Sequence, residues 1–177
     1  LYTVEALGMA KRRLAPGGIF LQWLHYYQVS ESDILGALAT FQAVFPHTTF
    51  WMHDAGDSFM VGSGSPLALD PAEWERRCRL PVPAADLARS GIAGPYSLMA
   101  FYRLGPDEVG RAVRGARICR DDDPYLEFTT PRVRWNPLTT AGHRQFLRSL
   151  PVDRPVPFAR EGPRSRISLG RAFLAAG

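Results

Sequence analysis

The stretch Pro16-Gly17-Gly18-Ile19-Phe20-Leu21-Gln22-Trp23-Leu24-His25-Tyr26-Tyr27 decides how this chain is read. From Ile19 to Tyr27 it is apolar on both alternating faces, apart from Gln22 and His25. That composition is expected of a central strand covered on both sides, as in a parallel sheet. Upstream, Leu1, Val4, Leu7, Ala10 and Leu14 repeat at three- and four-residue steps, with Lys11, Arg12 and Arg13 in the last turn, where cations suit the helix dipole. Pro16-Gly17-Gly18 then stops this helix. Because the helical pattern begins at once, the natural N-terminus is expected to lie upstream of Leu1.

Downstream, Ser30 opens a second helix with Asp33 at the capping-box position and a buried stripe of Ile34, Leu38, Phe41 and Phe45, closed by Pro46. His47 to His53 and Asp57 to Gly62 read as two strands joined by Asp54-Ala55-Gly56, a hairpin. Helix, strand, helix and hairpin in that order form the second half of a doubly wound α/β sheet ending in an antiparallel pair. From Ser63 the composition changes, giving three segments: residues 1–62, a helical appendage at 63–132, and a Pro- and Arg-rich extension at 133–177. Helical patterns are expected at Pro71–Arg79, Ala84–Ser90, Tyr96–Leu104 and Pro106–Arg114, with a modest one at Thr140–Leu150 and a loose tail from Pro151.

The 177 residues are 46% hydrophobic and 21% charged, as in an ordinary folded domain. The net charge of +4 is spread along the chain. Arg111, Arg114, Arg117 and Arg120, its nearest approach to a basic stripe, read as a solvated face, so no nucleic acid partner is expected. With only Cys78 and Cys119, far apart, neither a disulfide framework nor a zinc site is indicated. A reducing, cytoplasmic compartment fits. No apolar run reaches the ~20 residues that span a bilayer, although membrane segments could precede the chain.

At Leu1-Tyr2-Thr3-Val4-Glu5 the sequence resembles the Leu-Tyr/Phe-Thr-x-Glu segment of the spermidine synthase (polyamine aminopropyltransferase) family. The resemblance continues through Arg13–Trp23 and Thr40–His47. It resumes at Asp121-Asp122-Asp123-Pro124-Tyr125-Leu126-Glu127-Phe128, similar to a Thr-Asp-Asp-x-Pro-x-Leu-Glu-Phe signature of the bacterial branch. It covers roughly residues 1–130, and the order and spacing of the segments carry it. It implies the C-terminal half of a Rossmann-like, class I methyltransferase-type sheet. It also implies transfer of an aminopropyl group from decarboxylated S-adenosylmethionine to a polyamine when the domain is complete. The donor loop and the catalytic base belong upstream of Leu1 in that family, and no G-x-G-x-x-G occurs here. These residues alone are therefore expected neither to bind donor nor to turn over.

Ligands of open α/β sheets lie beyond the carboxyl ends of the strands, which draws attention to Gln22, His25, Tyr26 and Tyr27. The resemblance implies substrate contact for Gln22; the competing reading is a structural amide satisfied by neighbouring backbone. Tyr26 would line an amine channel or simply pack the strand end. Asp121 and Asp122, with Glu127 next, would hold a polycation by charge-assisted hydrogen bonds, or else build a turn before Pro124. No catalytic residue and no metal ligand is assigned. A strand with an open edge would make the chain dimerise or aggregate, so a homodimer is expected. Two other readings remain: an S-adenosylmethionine-dependent methyltransferase of the same fold, and a non-catalytic scaffold whose Arg-rich end binds a partner.

Overall fold

The computed structural model describes residues 2–53, 56–133 and 140–152. Two compact units are present, one formed by Leu1–Pro66 with Arg103–Asp153, the other containing Leu67–Tyr102.

In the first unit the Thr3 hydroxyl accepts from the Ala6 amide and starts helix α1 (Val4–Arg12). Gly17, with φ 72°, turns the chain into strand β1 (Ile19–His25). Gln28, at φ 55°, then leads into helix α2 (Glu31–Val44), whose first turn is capped by the Ser30 hydroxyl on the Asp33 amide. Ile34, Leu38, Phe41 and Phe45, the stripe read from sequence, are all fully buried. The hairpin also forms, as β2 (Thr49–Met52) and β3 (Asp57–Ser63), with residues 54–55 of its turn outside the described set.

The chain is thus a mixed α/β structure around a four-stranded antiparallel open sheet of order β1-β3-β2-β4, the last being the short strand β4 (Tyr102–Leu104). Strand β3 is antiparallel to both β1 and β2, so those two run parallel to each other. Register places Phe20, Gln22 and Leu24 on the same face as Ser58, Met60 and Gly62 of β3 and Phe50 and Met52 of β2. α2 packs on this face, and Phe20 stacks on Phe41 and Phe45 at ring distances of 6.1 and 5.5 Å.

The opposite face of β1 departs from the expectation of a strand covered on both sides. Ile19, Leu21 and Trp23 remain 53%, 55% and 44% exposed. A run apolar on both faces reads as a central strand, but among the described residues β1 is an edge strand whose second face is left largely exposed.

Helix α5 (Pro106–Ala112) lies against α2 and β2, and helix α6 (Tyr125–Val133) against α2. Helix α7 (Thr140–Ser149), expected from the sequence, has carbonyls at its C-terminal end capped by the Arg103 guanidinium, which donates to Leu147 O at 3.1 Å and to Leu150 O at 2.6 Å. Helix α6 was not anticipated, since Pro124 precedes it and Pro131 sits inside it.

The second unit holds helix α3 (Pro71–Cys78) and helix α4 (Pro81–Arg89), the latter starting before the expected Ala84. The Asp70 carboxylate caps α3 through the Ala72 and Glu73 amides. Arg76 and Arg77 hydrogen-bond Glu73 and hold its carboxyl down at about 2. Tyr96–Leu104, expected as helix, is instead a 3₁₀-helix (Pro95–Phe101) running into β4. Its period cannot last, because Tyr102 and Leu104 are buried with Arg103 between them only half-buried, the alternation of a strand. Among the described residues no helix is long and apolar enough to cross a membrane.

Candidate functional site

A cavity of about 350 Å³ opens at the carboxyl end of β1 in the first unit. Its apolar floor is Leu24 of β1 with Ile34 and Ala37 of α2. Around this stand Tyr2 and Thr3 from the start of α1, His25 and Gln28 from the end of β1, and Asp33 of α2. The far wall is Cys119, Pro124, Leu126, Glu127, Thr130 and Pro131. Among the described residues the lining holds two carboxylates and neither lysine nor arginine.

Distant parts of the sequence meet here through specific bonds. The Val4 amide donates to Cys119 O at 3.1 Å, and the Asp121 amide to the Glu5 carboxylate at 3.0 Å, with Arg120 in ion-pair range of Glu5 at 3.6 Å. The Cys119 amide donates to the Thr40 hydroxyl at 2.9 Å, itself bonded to Gly36 O. Segment 117–129 is thereby clamped to α1 on one side and α2 on the other. The Tyr125 hydroxyl donates to Arg117 O at 2.9 Å, and burial pushes its pKa up to about 12. Burial also raises the Cys119 thiol, leaving it a protonated, weakly nucleophilic wall of the cavity.

The residues singled out from sequence fall in different places. Glu127 lines the cavity. Gln22 does not line the cavity; it lies on the covered face of β1, its side chain within hydrogen-bond reach of Tyr2. Burial raises the Tyr2 hydroxyl, which donates to Trp23 O at 2.7 Å. Tyr26 is fully buried outside the lining, its hydroxyl donating to His53 O and accepting from the Gly56 amide at 3.2 Å, so it ties the hairpin turn to the end of β1. Asp121 and Asp122 are exposed on a turn closed by the Arg120–Asp123 bridge, and neither lines the cavity. Asp123 receives the Arg117 guanidinium at 2.5 to 3.1 Å. His25 lines the cavity with its ring 4.8 Å from that of Tyr27. Burial lowers its pKa and Asp57 partly opposes this.

Sequence reasoning missed Asp33. At the third helical position it reads as the reciprocal half of a capping box, yet its Oδ1 accepts from the Thr129 hydroxyl of α6 at 2.8 Å. Its Oδ2 is buried with no hydrogen-bond partner among the described residues. Nothing local signals that bond, which spans 96 residues. Among the described residues no three His, Cys, Asp or Glu side chains gather as a metal site would require. No protein-family model, no curated protein and no solved structure matches this chain.

Proposed function

We propose that the chain is the acceptor-binding part of a spermidine synthase-like domain, which in complete form moves an aminopropyl group from decarboxylated S-adenosylmethionine to a polyamine. The observation that carries this reading is the meeting of the two ends of the resemblance. Tyr2 and Thr3 belong to its first segment, and Pro124, Leu126 and Glu127 to its last. All five line one cavity at the carboxyl end of β1, where α/β sheets bind ligands. The carboxylates of Asp33 and Glu127, with no lysine or arginine beside them among the described residues of the lining, suit a polycationic acceptor. The Rossmann-like half-sheet draws support from the strand directions. Parallel β1 and β2 joined through α2 form a crossover unit, and β3 returns between them as the closing hairpin.

The test is product analysis with the full-length polypeptide that carries this chain. Incubation with decarboxylated S-adenosylmethionine and putrescine is expected to release methylthioadenosine. S-adenosylhomocysteine from ordinary S-adenosylmethionine, with no methylthioadenosine, would install the methyltransferase reading instead. Neither product would leave the scaffold.

Self-association belongs to the same proposal. A seven-residue edge strand with Ile19, Leu21 and Trp23 exposed and no proline or lysine within it lacks the usual guards against edge pairing. Light scattering of the chain at rising concentration is expected to show association to dimers or larger species, which Leu21→Lys lowers. A monomer at every concentration would remove the homodimer from the proposal.

A further inference from the structure

We infer that the pole of the first unit where α1 ends and β1 begins docks on an anionic lipid surface. Arg12 and Arg13 meet the headgroups there, and Met9, Ile19 and Leu21 enter the boundary beneath them. This surface is separate from the cavity and from the transfer reaction.

Charge, apolar exposure and closeness coincide at this pole. Lys11, Arg12 and Arg13 are consecutive and exposed, and no aspartate or glutamate occurs from Ala6 to Ser30. Lys11 is committed to structure: its ammonium donates to Val44 O at 2.6 Å and lies 6.0 Å from the centre of the Phe45 ring, pinning the end of α1 to the end of α2. The guanidinium groups of Arg12 and Arg13 have no hydrogen-bond or ion-pair partner among the described residues. Met9 is 53% exposed and stands three and four residues before them, on the same side of α1. Ile19 and Leu21 are exposed on the face of β1 turned away from α2. The Leu14 amide donates to Lys11 O at 3.2 Å and the Gly18 amide to Ala15 O at 2.8 Å, so one tight turn joins the cations to Ile19.

Cations in the last turn of α1 also suit its dipole, but the dipole calls for no exposed aliphatic side chain beside them. Exposed aliphatic side chains bordered by unpaired cations are the composition of an interfacial anchor, where apolar burial and attraction to anionic lipid act together. Single-stranded nucleic acid, the other polyanion with an apolar component, is held by aromatic rings that stack its bases among the cations, and Met9, Ile19 and Leu21 offer no ring. Trp23, next along the same face of β1, donates to the Asp57 carboxylate at 2.9 Å, and that carboxylate repels a phosphate backbone.

The experiment is co-sedimentation of the chain with vesicles of phosphatidylcholine alone and with vesicles containing about a third phosphatidylserine. Binding to the anionic vesicles is expected, with little to the neutral ones, and raising the salt to about 0.5 M is expected to weaken it several-fold. Arg12→Gln combined with Arg13→Gln is expected to weaken it about tenfold or more, and Met9→Ser several-fold. All three side chains are exposed, so circular dichroism of the variants is expected to match that of the parent. Arg114→Gln removes a cation beside Ser32, at the opposite end of α2, and is expected to change little. A loss from Arg114→Gln as large as from Arg13→Gln would mean that net charge alone drives binding, and would overturn the proposal. So would equal binding to both kinds of vesicle, no binding to the anionic ones, undiminished binding by the double variant, or capture of polyuridylate at a salt concentration where the vesicles are not bound. Met9, Arg12 and Arg13 lie on α1, outside the strand edge that drives self-association, so the two proposals fail separately.

Discussion

Gly62→Ala is expected to lower the stability of the sheet unit by about 3 kcal/mol, and Gly62→Val by more. A Cβ at this position would stand 2.5 Å from the Cβ of Phe45, 2.6 Å from Cε1 of Phe41 and 2.7 Å from Cγ of Phe45. Neither ring has room to retreat, since both are fully buried and both stack on Phe20. The penalty is therefore one of packing, with α2 forced away from β3. Gly17 supplies the contrast. Its φ of 72° makes any side chain there strained, yet nothing lies within 4 Å, so Gly17→Ala is expected to cost only about 1 kcal/mol, through the backbone. Urea unfolding midpoints of the two variants measure the difference directly. Equal shifts would mean that α2 does not rest on Gly62.

What the sequence made legible was what its own local periodicity encodes. Ile34, Leu38, Phe41 and Phe45 are separated by three or four residues of one helix, so their common burial follows from geometry that needs no partner. The hairpin was readable for the same reason, two short strands with a turn between them. Partners far away in sequence decide the rest. Whether β1 is central or at an edge depends on which strands flank it, and its apolar alternation is the same in either place. Tyr26 was a candidate contact because it follows the strand, but the carbonyl of His53 and the amide of Gly56 claim its hydroxyl. The acidic run drew attention through the resemblance and through its charge, which suits a polycation. Its first two residues lie on an exposed turn, its third pairs with Arg117, and the carboxylates that face the cavity are Asp33 and Glu127. Of those two, Glu127 came from the resemblance, and Asp33 was visible only as a cap.

Gly36→Ala is expected to destabilise the same unit by about 3 kcal/mol, and Tyr125→Phe is expected to restore part of that loss. The new Cβ would stand 1.8 Å from the Tyr125 hydroxyl oxygen and 3.1 Å from both Tyr125 Cζ and Arg117 O. To admit it, the hydroxyl must leave Arg117 O, and the Arg117 guanidinium packed 4.3 Å from the ring must move with it. Tyr125→Phe alone removes the donor and leaves that carbonyl without it, a loss of about 1 kcal/mol. In the double variant the severest clash is gone before the Cβ arrives, so the two losses should sum to less than their separate values by about 1–2 kcal/mol. Full additivity would show that Tyr125 and Gly36 do not touch. Alkaline pH gives an independent reading of the same hydroxyl. Its folded pKa of about 12 lies above the ordinary 10.0, so its contribution is complete below pH 10 and is lost as the pH rises toward 12. Tyr125→Phe should flatten that decline.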